Sequence, residues 1–553
     1  MSHTPDSAPG SPAAPPPRIS SLAPFAVPAF RMLWIAGLVS NIGSWMQSVG
    51  AQWFLVEADA SPVIVALVQT ASAAPVLLFA IPGGVMGEFL NRRRVLIGAQ
   101  SLQLAAVGAL TVLTFAGETT PVLLLTLTFL LGIASAAQLP AYQAIVPDVV
   151  PPKMIRQAAS LSSINVNVAR AIGPAAAGLI VSSFGVGAVF LVNALSFVVF
   201  LATLLLWRGY RPPAVRPEPF FDATRAGLRY LQHSDIVRAI FLRLAVFLVP
   251  ANALWALLPV IADDELNIGA DGYGLLLGAL GVGAVAGIFV LPPTQRRLGV
   301  NGLVSLSAIV YGAGLAALVL FPSLPIALAV LVLTGLAWIG VIATVNATVQ
   351  AFLPTWVRTR GLSLYQVVLY GGTAFGAAIT GALANIFGAT LVMWVSGAAI
   401  VLIGLSLVIW PIPSTKGIGR AIVPMGDPKD RDPQDDDRPL LVLVQYTVAE
   451  DRRAEFLDAM SLVEQSRYRT GARTWRLYAH QTQPGVLIEA FTVGTWREHE
   501  SATQDRVTEY DAQVLDKAKG LSTVTPSPQY LLDVPVHKHP TRPFTDVPPP
   551  EPR

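Results

Sequence analysis

Twelve runs of about 20 or more predominantly apolar residues follow one another between positions 31 and 411. Each is long enough to cross a hydrocarbon layer roughly 30 Å thick at about 1.5 Å per helical residue. Lipid offers no hydrogen-bond partners, so each run has to satisfy its own backbone, which makes it an α-helix. The runs are 31–56, 62–87, 95–116, 120–145, 158–182, 187–207, 237–261, 271–292, 300–321, 325–347, 360–386 and 388–411. Charge follows the same division. Residues 1–411 hold 19 Lys/Arg and 13 Asp/Glu, whereas 412–553 hold 18 and 21, so a membrane part precedes a soluble part. With 13% charged residues overall, against about 25% in soluble domains, an ordinary soluble enzyme is excluded. A net charge of +3 is too small and dispersed for nucleic acid. The chain contains no Cys, which removes disulfides, thiolate metal sites and cysteine nucleophiles, and it carries no Walker, dinucleotide-binding or HExxH motif. No cofactor or metal is expected.

Lys and Arg orient the runs. Alternate connections carry Arg92, Arg93 and Arg94; Lys153 and Arg156; Arg208, Arg211, Arg216, Arg225 and Arg229; Arg296 and Arg297; Arg358 and Arg360. The six opposite loops carry none and instead hold Glu57, Asp59, Glu118, Asp263, Asp264, Glu265 and Asp271. By the positive-inside rule the first set faces the cytoplasm, as do both termini. One miscounted span would invert every later loop. An internal repeat agrees: Gln143-Ala144-Ile145-Val146-Pro147 returns as Gln350-Ala351-Phe352-Leu353-Pro354, Arg92-Arg93 as Arg296-Arg297, and Gly173 with Gly178 as Gly376 with Gly381. This implies two parallel six-helix halves.

The expected organisation is a disordered N-terminal tail (1–29), an N-terminal six-helix half (30–207), a cytoplasmic central linker (208–235) and a C-terminal six-helix half (236–411). An acidic linker (412–439), a small α+β ferredoxin-like domain (440–535) and a disordered tail (536–553) complete it. The Pro-rich opening reads as a cytoplasmic tail, not a signal peptide.

Three stretches carry a resemblance. The first span reads Asn41-Ile42-Gly43-Ser44-Trp45-Met46-Gln47-Ser48-Val49-Gly50-Ala51-Gln52-Trp53; the loop after span 2 reads Gly84-Val85-Met86-Gly87-Glu88-Phe89-Leu90-Asn91-Arg92-Arg93; span 5 contains Arg170-Ala171-Ile172-Gly173-Pro174-Ala175-Ala176-Ala177-Gly178. Together they resemble the major facilitator superfamily, specifically its transmembrane secretion effector branch of enterobactin-exporter-like and macrolide-efflux-like proteins. The second stretch is similar to motif A and the third to motif C, typical of exporters. The resemblance implies a conformational latch from Gly84, Glu88, Arg92 and Arg93, with Glu88 facing span 11 near Arg358 and Arg360. Motif A usually has Asp then Arg where this chain has Glu88 then Phe89. Gly173, Pro174 and Gly178 form the exporter motif, a small-residue stripe that allows close helix contact and a bend.

Polar side chains inside spans should face the bundle interior. At 100° per residue, Asn41, Ser44, Trp45, Ser48 and Gln52 fall within one arc of span 1, off which Gln47 and Trp53 lie. That arc reads as the wall of a substrate cavity. Gln69 and Thr70, Gln138 and Tyr142, Asn252 and Trp255, and Tyr365, Gln366 and Tyr370 extend it onto spans 2, 4, 7 and 11. Packing is the alternative for each. Trp207 and Trp410 read as interfacial anchors. Arg170 has two readings: a cavity group, or a structural link near the cytoplasmic end reaching carbonyls or acids such as Asp148. Without a Walker motif, uphill movement must draw on an ion gradient, and the resemblance implies protons. No Asp, Glu or His lies deep in a span, leaving Glu57 and Asp59 at the outer mouth of span 1 as coupling candidates.

After the linker come a strand at 440–448, a helix at 449–468, strands at 474–480 and 485–493, a helix at 495–519 and a strand at 529–534. This order resembles antibiotic-biosynthesis-monooxygenase-like domains, including Trp496-Arg497-Glu498-His499. His499, Trp475 and Tyr478 could line a small pocket; a regulatory or self-associating module is the other reading. The expectation is a bacterial cytoplasmic-membrane secondary exporter of an amphipathic drug or siderophore-like molecule, not an enzyme. A transporter-like sensor, an uptake carrier and a membrane-tethered monooxygenase-like enzyme are the alternatives.

Overall fold

A computed structural model describes residues 20–89, 91–207, 229–230, 232–413, 419–425 and 438–534, without the side chains of 80–89, 355 and 359. Its helices are α1 (Pro28–Glu57), α2 (Pro62–Phe89), α3 (Arg92–Phe115), α4 (Pro121–Val149), α5 (Ile155–Phe184) and α6 (Val186–Leu206). Then follow α7 (Asp235–Asp264), α8 (Ala270–Leu320), α9 (Leu324–Phe352), α10 (Thr355–Phe387) and α11 (Ala389–Ile409). Local chemistry sets the ends. Pro28 and Pro121 occupy first turns, where no amide hydrogen is needed. The Asn91 side chain accepts from the Arg93 and Arg94 amides to cap α3. Gly185 and Gly388, at φ +78° and +85°, form one-residue turns that side-chain-bearing residues rarely adopt.

Ten of the described helices are long and apolar enough to cross a membrane, fewer than the twelve runs expected, for two physical reasons. α1 is less apolar because Asn41, Ser44, Gln47, Ser48 and Gln52 lie along it. Expected spans 8 and 9 follow each other without a loop, as two helices that meet within α8 at a kink where Gly299 takes φ +71° and ψ −177°.

The chain divides into two compact units. One comprises residues 1–217, 243–345 and 365–411, in which α1 packs on α5 and α6, α2 on α4, α3 on α4 and α6, and α8 on α5 and α11. The second comprises 218–242, 346–364 and 412–553: the start of α7, the α9–α10 connection and the soluble tail. Within it, β1 (Leu440–Thr447), β2 (Thr474–Ala479), β3 (Val486–Val493) and β4 (Pro528–Leu532) form an antiparallel sheet in the order β2-β3-β1-β4. Val442 pairs with both Phe491 and Tyr530. α12 (Arg453–Thr470) and α14 (Glu509–Gly520) cover one face over a core that includes Val442, Tyr446, Phe456, Trp475, Phe491 and Leu515.

Two tail expectations are corrected. The single helix expected over 495–519 is broken: α13 (Trp496–Ser501) runs into a π turn, and Thr508 with Asp511 forms a capping box that starts α14 afresh. The acidic linker, whose composition over 417–439 predicts disorder, is ordered over residues 419–425. Val423 and Met425 donate backbone hydrogen bonds to Val507 and Thr503, and Ala421 and Gly419 accept from Glu509 and Tyr510.

Candidate substrate cavity

Polar atoms on α1 are tolerated because they turn toward a cavity of about 270 Å³. Asn41, Ser44, Trp45 and Ser48 supply one wall, joined by Gln69 of α2 and Arg170 of α5. Asn252 and Trp255 of α7, Trp338 of α9 and Thr373 of α10 supply the other. The two walls thus come from opposite halves of the sequence. α5 approaches α1 closely at Gly173, where an added Cβ would lie 2.6 Å from the Trp45 Cβ, so this glycine sets where the Trp45 ring stands. Three indoles form a chain: Trp45 to Trp255 at 5.9 Å and Trp255 to Trp338 at 5.8 Å between centroids.

Arg170 lies fifteen residues into α5, near mid-helix, with its guanidinium carbon 5.4 Å from the Trp45 centroid. The reading of it as a cytoplasmic-end link to Asp148 does not hold, since it lines the cavity and Asp148 accepts from Arg92 at 2.5 Å. Its Nε and Nη1 atoms are shielded from solvent and have no hydrogen-bond partner among the described residues.

Other candidates lie elsewhere. Gln52 is buried, donating to the Trp255 carbonyl at 2.9 Å and accepting from the Tyr273 hydroxyl at 2.9 Å. It ties α1 to α7 and α8 and does not line the cavity. Tyr142 packs edge-on against Phe200 at 6.1 Å, its hydroxyl donating to the Leu33 carbonyl at 3.4 Å. Tyr365 is buried and donates to the Ile342 carbonyl at 3.2 Å. Gln138, Gln366 and Tyr370 are half-buried and outside the cavity wall, with Tyr370 in electrostatic reach of Arg170. Of the coupling candidates, Glu57 accepts from the Trp53 indole at 2.9 Å, and the Trp53 ring stacks on Tyr273 at 5.8 Å. Asp59 occupies the turn after α1 at φ +51°.

Arg92 also donates to the Ala144 carbonyl, and Arg93 donates to the Leu204 and Leu205 carbonyls that end α6. These contacts stay within the N-terminal half. The Arg358 guanidinium reaches the Leu353 carbonyl at 3.4 Å, and Arg360 is half-buried. Gly84 lies within α2, and the side chain of Glu88 lies outside the described residues.

Close backbone contacts cluster toward the end of the bundle where α1 finishes and α2 begins. A Cβ on Gly178 would lie 2.5 Å from the Ala270 carbonyl and 2.9 Å from the Gly274 Cα; one on Gly274 would lie 2.7 Å from the Pro174 carbonyl. Thr70 of α2 donates to the Ala374 carbonyl of α10 at 3.0 Å.

Sequence reasoning missed Trp338, Thr373 and a second pocket of about 130 Å³ that shares Ser44 and Ser48 with the first and is also lined by Gln47, Gln103, Thr128 and Asn193. Gln100 and Gln103 hydrogen-bond each other at 2.9 Å beside it. The wheel of one helix cannot show a polar cluster assembled from α1, α3, α4 and α6.

In the sheet domain, strand alternation puts Trp475 on the helix-covered face and leaves Tyr478 55% exposed. The pocket expected from Trp475, Tyr478 and His499 is therefore not formed. Buried Glu489 instead accepts from Arg467 at 2.8 Å, the Trp475 indole at 3.0 Å and the Tyr446 hydroxyl at 3.1 Å. His499 is buried between Trp496 and Tyr530, at 6.0 and 5.4 Å. Burial first, then the Arg467 charge, push its pKa down to about 4. An unfolded His titrates near 6.5, so acidification between those values protonates the unfolded state preferentially. Stability is complete above about pH 6.5 and falls as pH drops toward 4, by on the order of 3 kcal/mol. Hydrogen exchange of β1–β4 in the full-length protein should show this loss, and His499→Phe should flatten the slope in that window. Glu489, held below the usual carboxylate range by Arg467 and the Arg467, Trp475 and Tyr446 hydrogen bonds against its burial, adds a separate loss below about pH 4.5.

Known proteins place this architecture. The staphyloferrin A transporter of Staphylococcus aureus is 25% identical over 63% of this chain and 87% of its own. The multidrug efflux pump Tap of Mycobacterium tuberculosis is 25% identical over 65% and 88%. A solved bacterial homolog of the human lysosomal transporter Spinster, inward-facing and unoccupied, superposes with a TM-score of 0.54 at 18% identity over 70% of this chain and 95% of that one. The sequence profile of the transmembrane secretion effectors matches residues 19–538, nearly the whole length, and the chain belongs to that family.

Proposed function

We propose that this membrane protein is a secondary exporter that moves an amphipathic, drug- or siderophore-like small molecule across a bacterial cytoplasmic membrane by alternating access. The carrying observation is the cavity walled from both halves, with Trp45 and Arg170 facing Trp255 and Trp338. Such a site can be opened to either side by rocking one half against the other. The names of the relatives, a staphyloferrin A transporter and a multidrug efflux pump, support this substrate range. We read twelve spans, counting α1 and dividing α8 at Gly299, which leaves both termini cytoplasmic. We read the close glycine contacts of Gly178 and Gly274 as the closed outer end of an inward-facing carrier. Energy comes from the proton-motive force. Glu57 is the candidate proton-responsive group, through its bond to Trp53 and the Trp53–Tyr273 stack. Gly84, Glu88, Arg92 and Arg93, with Arg358 and Arg360, are the candidate latch. The strand order β2-β3-β1-β4 supports a ferredoxin-like reading of the tail, and exposed Tyr478 and Leu531 mark its open face as the surface for self-association.

The test is Trp45→Ala in proteoliposomes. It removes one wall of the aromatic box and should lower substrate flux at least about tenfold, equivalent to about 1.4 kcal/mol of lost binding, with unchanged expression and elution. Unaltered flux would remove α1 from the path.

A further inference from the structure

We infer that Arg170 makes the cavity an anion site, so the exported molecule carries a negative charge beside a flat apolar body and the membrane potential itself drives it outward. The inference rests on the exporter reading above. Guanidinium nitrogens shut away from water without an acceptor are costly, and Arg170 keeps Nε and Nη1 in that state. Stacking over Trp45 at 5.4 Å offsets part of the cost but accepts no hydrogen bond. Among the described residues, none lining the cavity is acidic, its other polar groups being Asn41, Ser44, Ser48, Gln69, Asn252 and Thr373. The missing acceptor is thus something the occupant brings. A carboxylate, sulfonate or phenolate suits the planar donor fork. An aromatic or alicyclic body suits the indoles of Trp45 and Trp255, 5.9 Å apart.

Energetics follow from the sign of the charge. Outward movement of one negative charge down an inside-negative potential is favoured about 50-fold per 100 mV, or about 2.3 kcal/mol. With its anion aboard, Arg170 is neutralised, so the loaded step is little affected by voltage. Once the anion leaves, the bare guanidinium is drawn back to the cytoplasmic potential, which resets the carrier inward. No carboxylate deep in a span is needed for that part of the cycle, and the sequence contains none.

The experiment uses the full-length chain with three probes: 2-naphthalenesulfonate, charged at every working pH; the neutral isostere 2-naphthalenesulfonamide; and the cation ethidium. Binding is read by tryptophan quenching in detergent. Flux is read in proteoliposomes with equal pH on both sides and a potassium–valinomycin potential. Wild type should prefer sulfonate to sulfonamide at least about tenfold and move sulfonate toward the positive side, about tenfold faster or more at 100 mV than at zero. Arg170→Gln should erase the preference, lowering sulfonate binding at least about tenfold more than sulfonamide binding. Arg170→Lys, keeping charge without the planar fork, should fall between. Equal wild-type affinity for sulfonate and sulfonamide, parallel loss of both in Arg170→Gln, or sulfonate flux indifferent to potential would each overturn the inference. Ethidium flux without selective sulfonate binding would sink the anion site and leave the exporter; selective, Arg170-dependent binding with no flux of any probe would sink the exporter and leave the site.

Discussion

Gly178→Leu is expected to arrest transport with the cavity open to the outside. α5 and α8 meet there backbone to backbone: a Cβ on Gly178 would already lie 2.5 Å from the Ala270 carbonyl and 3.2 Å from the Asp271 Cα. Backbone cannot rotate aside as a flexible side chain can, so the four extra carbons of leucine force the two helices apart. Overpacking of this kind costs about 1–3 kcal/mol, which biases a two-state carrier toward its outward-open form by roughly 5- to 150-fold. The α5–α8 contact, proposed above as the closed outer end, suits such a lever, because Gly274 faces the Pro174 carbonyl and Gly281 faces Ala171 along it. The chain has no Cys, so a single introduced thiol reports without background. Thr373→Cys, on the cavity wall, should react with an impermeant maleimide added outside at least about tenfold faster in the Gly178→Leu background than alone. Flux should fall by a comparable factor while protein yield holds. An unchanged labelling rate would mean that the α5–α8 contact is not the outer gate.

The membrane helices and the cavity wall were legible to different degrees, because they depend on different physics. Length and charge alternation report solvent, and lipid is an unforgiving one; hence the runs correspond to helices almost throughout. What they could not show is continuity. Arg296 and Arg297 mark a polar connection between expected spans 8 and 9, yet no loop separates the two helices, which meet at a kink at Gly299. On α1 the 100° wheel found Asn41, Ser44, Trp45 and Ser48, all on the cavity wall, because angle alone decides whether a residue faces inward. Gln52 lies in the same arc but one turn nearer the outer end, where Tyr273 and the Trp255 carbonyl meet it. A wheel carries no depth or partner. Trp338 escaped notice for the opposite reason: an indole in an apolar run is indistinguishable from packing until Trp255 and Tyr311 are seen beside it at 5.8 and 5.7 Å. The succession of strands and helices along the tail was readable from alternation, whereas the Thr508 capping box inside an apparently continuous helix required noticing one Thr three residues before an Asp.

Removing the guanidinium of Arg467 should unfold the sheet domain and show whether export depends on it. Glu489 is fully buried on β3, and Arg467 on α12 holds both its oxygens at 2.8 and 3.3 Å while its own charge lies 4.4 Å from the Phe491 ring. Breaking a buried pair from one side leaves an unpaired charge in a low-dielectric core, at about 3–5 kcal/mol, a large share of what a domain of this size can spare. Arg467→Met should therefore expose the tail to limited proteolysis after Pro411, with α1–α11 remaining protected. Arg467→Met with Glu489→Gln removes both charges and should recover most of the stability, since the Gln amide oxygen can accept from the Trp475 indole while its NH2 donates to the Tyr446 hydroxyl. The domain also packs on segments bordering α7 and α10: Arg229 pairs with Glu498 at 2.8 Å, the His233 ring stacks on Tyr468 at 4.4 Å, and Arg506 lies over Trp356 at 5.2 Å. Helix ends bound in this way are loaded by whatever the sheet does. If flux falls with Arg467→Met and returns in the double variant, the tail acts on the helices through these contacts; flux unaffected in both would make it a passenger that tolerates unfolding.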